Sequence, residues 1–337
     1  MTTQRPLILK AALSNVGHAR PLKDGRVAPE GIAFDHVEVE PIIAAFRRMV
    51  RATEFDVCEM SPTTYLTARA FNKPFTAIPV FLQRMFHDNA LVYNVKSGIK
   101  HAKDFEGRRV GVRAYTVATG VWVRGLLQSD YGVDITRVTW FTDDEEHVTE
   151  WAPPANVRKT PEGKSLISMI LAGELDASLT GAAGVGRAGA PTAGWEAGAG
   201  ATPRVEDSPD IAPLLPDTGV VEVERFKRNG VYPIHGVIVV KDSVLQAHPW
   251  VARSLFDAFK AAKAIYLEQL TRDGPQNAQD QTALKRQAVV GPDHLPFGVE
   301  ANRSSLEYLV QHAYDQQLTP RKFSVEEMFA TGTLDFA

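Results

Sequence analysis

Only one of the 337 residues is a cysteine, Cys58. A lone thiol forms no internal disulfide and no thiolate metal cluster, which excludes a disulfide-stapled scaffold and a zinc ribbon. Neither sign of charge dominates: 37 lysines and arginines face 40 acids, for a net charge of −3. Nucleic acid is therefore not expected as a partner. No apolar run approaches the roughly 20 residues that cross a bilayer, so a membrane is not expected either. The opening Met-Thr-Thr-Gln-Arg-Pro-Leu-Ile-Leu-Lys lacks the charged and apolar regions of a secretory signal, which predicts a cytoplasmic location. The chain also lacks H-E-x-x-H, C-x-x-C, Walker and G-x-S-x-G motifs, and with them the usual signposts of metalloproteases, redox thiols, nucleotide hydrolases and serine hydrolases.

What is present reads as an ordinary globular chain, 44% hydrophobic and 23% charged, and long enough for two domains. Strand patterns at residues 7–13, 34–39 and 55–60 alternate with helical patterns at 42–53 and 61–71, which predicts an α/β fold with a parallel sheet. Two polar stretches, Gln83-Arg84-Met85-Phe86-His87-Asp88-Asn89 and Tyr232-Pro233-Ile234-His235-Gly236, read as crossings between lobes. The expected division is residues 1–86 plus 233–337 against residues 87–232. Further helices are expected at 164–172, 248–270 and 301–317, with Pro249 near the first turn of the second. Ser324-Val325-Glu326-Glu327 carries a capping box that opens another. Residues 181–202, rich in glycine and alanine, read as a mobile loop outside the chemistry, with fast hydrogen exchange. Inside it Gly184-Val-Gly-Arg-Ala-Gly189 has the dinucleotide spacing, but Ala190-Pro191 cannot open the helix that fingerprint requires.

The most informative stretch is residues 108–133. A short β-branched run at 110–112 leads into a polar turn with Tyr115, Thr116 and Thr119. Val121, Trp122, Leu126 and Leu127 then recur at helical spacing until Gly132. Such a turn aims N–H groups and the positive helix end at one spot, which suits a carboxylate. The competing view is a helix start with no ligand. Arg20, Arg84 and Arg113 offer bidentate pairing to carboxylates, against the plainer view of surface ion pairs. Glu59 ends a buried strand and is followed by Ser61; a carboxylate there is paired or has a raised pKa. His18, His87 with Asp88, and His235 stand at strand ends. Converging, they can hold a divalent metal, but histidines so placed are more often hydrogen-bonded structural groups or substrate contacts. No cofactor is expected, and assembly into a homo-oligomer is left open.

Two α/β lobes joined by two crossings are similar to a type II periplasmic-binding-protein fold, whose ligand would lie in a cleft beyond the strand ends of both lobes. At residues 24–32, 54–69, 77–81, 105–112, 121–133, 248–263, 296–303 and 318–329 the chain resembles the 4,5-dihydroxyphthalate decarboxylase family. The strings Glu-Phe-Asp-Val-Cys-Glu-Met-Ser and His-Pro-Trp-Val-Ala-Arg-Ser-Leu-Phe carry most of that resemblance. It implies a cytoplasmic enzyme of solute-binding-protein fold that converts 4,5-dihydroxyphthalate to protocatechuate, with a small aromatic carboxylate as its partner. The departures fall at expected ligand contacts: Gly17-His18-Ala19-Arg20 stands where the family has Tyr-Asp-Arg-Thr, and Arg84-Met85-Phe86-His87-Asp88 where it has Arg-Phe-Phe-Arg-His. On this reading His18 and His235 are the acid–base pair and Glu59 orients one of them. Arg84 and the start of the helix at Thr116–Thr119 anchor the retained carboxylate, while Arg20, Ser61, His87, Arg113 and Tyr115 make further contacts. The rival reading is a non-catalytic solute-binding protein of an ABC transporter.

Overall fold

The computed structural model describes residues 5–185, 205, 208–215 and 218–337. In chain order the strands are β1 (Leu7–Ala12), β2 (Ile32–His36), β3 (Val57–Met60), β4 (Phe75–Arg84), β5 (Leu91–Asn94), β6 (Arg109–Gly111), β7 (Thr139–Thr142), β8 (Val157–Lys159), β9 (Ala177–Leu179), β10 (Ile211–Pro213) and β11 (Ile234–Lys241). The helices are α1 (Arg20–Lys23), α2 (Ile43–Ala52), α3 (Pro62–Ala70), α4 (Ala118–Tyr131), α5 (Leu166–Leu171), α6 (Thr218–Asn229), α7 (Asp242–Ala247), α8 (Val251–Asp273), α9 (Ala278–Val290) and α10 (Arg303–Asp315). Among the described residues no helix is long and apolar enough to cross a membrane.

The chain divides into two compact units. The first is the chain up to Met85 with Phe226–Val310 and Arg321–Ala337; the second is Phe86–Arg225 with Gln311–Pro320. The expected division kept everything after residue 233 together. Residues 311–320 go to the second unit because they are tied there by buried bonds. Gln316 accepts from Arg124 Nε at 2.8 Å and donates to the Val121 carbonyl at 3.0 Å, and Trp151 donates to the Gln317 carbonyl at 2.9 Å.

The sheet of the first unit has the order β2-β1-β3-β11-β4. Strands β1, β2 and β3 pair in parallel, as alternating strands and helices dictate, while β11 runs antiparallel to both its neighbours. Helix α8 covers the sheet. Val251, Leu255, Phe259, Ala262, Tyr266 and Leu270 recur every three or four residues, and all are buried. Its first four members meet Leu9, Val57, Ile78, Val80, Ile238 and Val240 in one apolar cluster, while Tyr266 and Leu270 pack with Ala283 of α9 in another. Each large side chain so buried contributes roughly 1.5–3 kcal/mol. The helix expected at 248–270 is thus two helices: His248 at φ −138°, ψ 70° takes the extended backbone that a following proline enforces, so α7 ends there and α8 begins after Pro249. Helix α9 was not expected from the sequence.

Arg84 and His235 are strand residues rather than parts of polar crossing loops. Ile234 pairs with Arg84 and Gly236 with Gln83, so β11 advances two residues where β4 advances one. His235 is the extra residue of a β-bulge, a device that re-aims side chains near functional sites. Outermost in its sheet, β4 is covered by the 328–330 segment: Phe329 bridges Ala77, and Ala330 N–H donates to the Ala77 carbonyl at 2.9 Å.

The second unit holds a sheet of order β10-β5-β9-β6-β7-β8, parallel from β9 to β8 and antiparallel across β10, β5 and β9. Helix α4 ends on Gly132 at φ 62°, the left-handed stop that its position predicts. Beyond Val185, the loop expected at 181–202 and most of the Gly184–Gly189 motif lie outside the described residues.

Candidate functional site

A pocket of about 340 Å³ opens in the first unit at the ends of β1 and β4. This lies within the roughly 300–1,000 Å³ usual for small-molecule sites. Val16, Gly17 and His18 follow β1, Leu82 and Gln83 end β4, Tyr266 comes from α8, Arg286 from α9, and His294 from the loop after α9. The floor is built by close approach. A Cβ on Gly17 would stand 2.2 Å from the Tyr266 ring, so only glycine lets that ring lie over the chain. The Tyr266 hydroxyl donates to Asp280 at 2.9 Å, and Asp280 is itself held in the first turn of α9, its N–H donating to Asn277 at 3.0 Å. The tyrosine thereby fastens α9 to the wall. Lys263 fixes the far side, donating to Asp293 at 2.6 Å and to the Leu295 carbonyl at 2.8 Å, on either side of His294.

Burial governs the protonation of these groups. His18 is 6% exposed, and its Nε2 meets the Leu82 carbonyl at 2.7 Å. Burial lowers its pKa to about 3. Burial and then the positive charge of Arg286 lower both His235 and His294 to about 4. All three imidazoles are therefore neutral at physiological pH. With Nε2–H donating to Leu82, neutral His18 keeps the lone pair of Nδ1 as a proton acceptor.

Glu59 is fully buried, and burial raises its pKa despite hydrogen bonds from Ser14 N–H at 3.1 Å and Gln83 Nε2 at 2.8 Å. It was expected to orient His18 or His235; His18 is held by the Leu82 carbonyl. Instead Glu59 holds Gln83, which lines the pocket. Gly236 makes room for this, since a Cβ there would lie 2.7 Å from Glu59 Oε1.

Arg84 does not line this pocket. It is 2% exposed and donates to Ser305 Oγ at 2.9 Å, to the Asn302 side chain and to the Tyr232 carbonyl, with its guanidinium 4.4 Å from the Tyr232 ring. Both Nη groups are spent on neutral acceptors that join β4 to residues 232 and 302–305, and burial lowers its pKa to about 10. The expected anchor is a structural tie. Ser61 is buried against Thr63, 3.0 Å between hydroxyls, and Arg20 is exposed at the start of α1.

The remaining expected residues belong to the second unit. The turn between β6 and α4 does hold a carboxylate, and the chain supplies it: Glu146 accepts from Tyr115 N–H at 2.5 Å, Thr116 N–H at 3.2 Å and Thr116 Oγ1 at 2.6 Å. The Tyr115 side chain is core, stacked on Trp151 at 5.8 Å with the Arg124 guanidinium 3.8 Å from its ring. Arg113 forms a buried ion pair with Asp144 at 3.0 Å. His87 is buried beside Asp88, which pairs with Arg225; Thr119 is half-buried in the first turn of α4. Among the described residues no group of three or more His, Cys, Asp or Glu side chains is gathered as a metal ion would need.

Sequence reasoning missed Tyr266, Arg286 and His294. The available signal was Asn277 with Asp280 three residues on, a capping pair, and Gly291 as a stop. Helix α9 buries only Asp280 and Ala283, so its apolar rhythm is faint.

No family model matches the chain. A 4,5-dihydroxyphthalate decarboxylase of Comamonas testosteroni is 26% identical over 344 residues, 98% of each chain. Another, of Pseudomonas putida, is 33% identical over 179 residues, 51% of this chain and 69% of the relative. Among solved structures, the periplasmic aliphatic sulphonate binding protein SsuA of Escherichia coli matches with a TM-score of 0.50 at 13% identity, over 98% of this chain and 93% of that one. The desulfurization enzyme DSZB matches with a TM-score of 0.52 at 14% identity, over 97% of both chains. These likenesses establish a periplasmic-binding-protein-like fold, one that hosts a binding protein and an enzyme alike. The sequence relatives go further: the chain belongs to the 4,5-dihydroxyphthalate decarboxylase family, and so to the carboxy-lyases.

Proposed function

We propose that the protein removes one carboxylate from a hydroxylated aromatic acid of the phthalate type, 4,5-dihydroxyphthalate giving protocatechuate, in the pocket of the first unit. The observation that carries this reading is the pair of neutral imidazoles, His18 and His294, lining a pocket sized for one aromatic ring. In the proposed substrate each carboxylate is para to a hydroxyl. A neutral imidazole takes the proton of that hydroxyl, and the ring carbon bearing the carboxylate gains electron density. That carbon takes a proton from an imidazolium and becomes tetrahedral, leaving a dienone. The carbon–carbon bond then breaks, its electron pair restores the aromatic ring, and carbon dioxide leaves. One proton is consumed overall, and no organic electron sink is needed.

His18 is assigned as the base through Nδ1 and His294 as the acid; the bulge residue His235, expected for that role, is not among the residues lining the pocket. A bound carboxylate beside these imidazoles raises their pKa from the low values of the free protein, which is the direction the acid needs. Positioned acid and base groups each contribute roughly 10²–10⁴-fold. The test is to incubate the purified protein with 4,5-dihydroxyphthalate and a panel of hydroxylated benzoates, following carbon dioxide and the aromatic product. Binding of these acids with no carbon dioxide from any of them would favour a solute-binding protein instead.

A further inference from the structure

We propose that Arg286 anchors a second carboxylate of the substrate, the one the reaction leaves in place, so that the pocket selects aromatic dicarboxylates over monocarboxylates. The proposal rests on this pocket being the reaction site, and it adds the residue that makes the second carboxylate a requirement. Among the described residues Arg286 is the only formally charged side chain lining the pocket, and no aspartate or glutamate lines it. It is half-buried and makes no hydrogen bond or ion pair with the described residues. Other arginines of the chain are engaged: Arg84 by neutral acceptors, Arg113 by Asp144, Arg225 by Asp88 and Asp130.

The placement of Arg286 is also constructed. Asn277 caps α9, Asp280 ties that helix to Tyr266, and Gly17 leaves space for the Tyr266 ring. Three features in three parts of the chain thus hold the helix that carries one cation into an otherwise uncharged pocket. Arg286 and His294 line the same pocket, and the charge of Arg286 reaches that imidazole, which sets it beside a group that would handle the proton. A partly desolvated guanidinium is best served by a carboxylate gripped through two parallel bonds. The carboxylate so gripped cannot be the one that leaves, because pairing stabilises the charge that must drain into the ring. With one cation in the pocket, an acid bearing a single carboxylate has its reacting group on the wrong partner. An acid with two adjacent carboxylates places one on Arg286 and the other against Leu82 and Leu295, which line the same pocket.

The experiment uses phthalate and benzoate, which lack the hydroxyls and cannot react by this route, with calorimetric titration of wild type, Arg286→Gln and Arg286→Lys. Wild type should bind phthalate roughly 10-fold or more tighter than benzoate. Arg286→Gln should lose that preference, and Arg286→Lys, which keeps the charge without the fork, should retain part of it. With 4,5-dihydroxyphthalate the glutamine variant should raise KM more than it lowers kcat. Equal phthalate affinity in wild type and Arg286→Gln would overturn the proposal, as would wild type that does not prefer phthalate. Arg286-dependent phthalate binding without carbon dioxide from any hydroxylated acid would leave the anchor standing and remove the decarboxylase reading.

Discussion

In the second unit, donors from Tyr115 and Thr116 close around Glu146; in the first, Arg286 faces a pocket whose lining contains no acid. Both offer positive groups to an anion, yet they are built differently. The turn before α4 draws on backbone N–H groups that any strand–turn–helix junction frees, and its carboxylate comes from a nearby stretch of the same chain. The pocket gathers the ends of two strands, two helices and a loop, and leaves its cation without a partner among the described residues. A receptor made of local backbone is easily satisfied from within, whereas one assembled across the sequence can be kept for something else.

The largest expected effect breaks the satisfied side of this contrast. Arg113→Met takes the ion-pair partner from a buried Asp144 and should cost ~3–5 kcal/mol in denaturant unfolding. Arg286→Met, which abandons no partner, should stay within about 0.5 kcal/mol. Similar costs for the two would mean that Arg286 is paired in solution. Next comes His18→Asn, for which turnover should fall ~10²-fold or more while phthalate affinity changes little. A proportionate loss of affinity and turnover would reduce His18 to a contact.

Gly17→Ala sharpens the other side. Its new Cβ falls inside the Tyr266 ring, so the ring must move and loosen α9; overpacking of this kind costs ~1–3 kcal/mol. KM should rise with it, and an unchanged KM would separate α9 from the site. The mildest loss among the substitutions that break a contact should be Glu146→Gln, which keeps the shape but turns charged hydrogen bonds into neutral ones, at about 1 kcal/mol. Amide exchange at Tyr115 and Thr116 should quicken in that variant. Unaltered exchange would mean that the carboxylate is not what holds the turn.

How far the sequence revealed these features depends on how local each one is. The α4 stop at Gly132 and the buried stripe of α8 follow from spacing along a single element. The capping box at Ser324 and Glu327 also forms, with bonds of 2.7 and 3.3 Å, although it opens only the short 3₁₀ turn Glu326–Met328 rather than a longer helix. His18 could be singled out because a strand end marks it. His294 and Arg286 could not, because nothing in their own neighbourhoods announces that the fold brings them to His18. Arg84 shows the reverse error. Its polar surroundings suggested a ligand, but the groups that satisfy it, Asn302 and Ser305, lie far along the chain.

The cover over β4 carries a consequence for association. The outer side of this ten-residue strand is occupied at several points: Ala77 gives its carbonyl to Ala330 and its N–H to the Tyr65 hydroxyl, and Pro79 gives its carbonyl to Gly298. Tyr65 in turn donates to the Met328 carbonyl, pinning the segment that does the covering. Without residues 323–337 the Ala77 carbonyl would lose its partner and part of a long apolar edge would open, the template on which a second chain adds its own strand. A chain cut at Lys322 should therefore assemble through β4 rather than simply melt sooner, an outcome that sedimentation of the truncated chain would check.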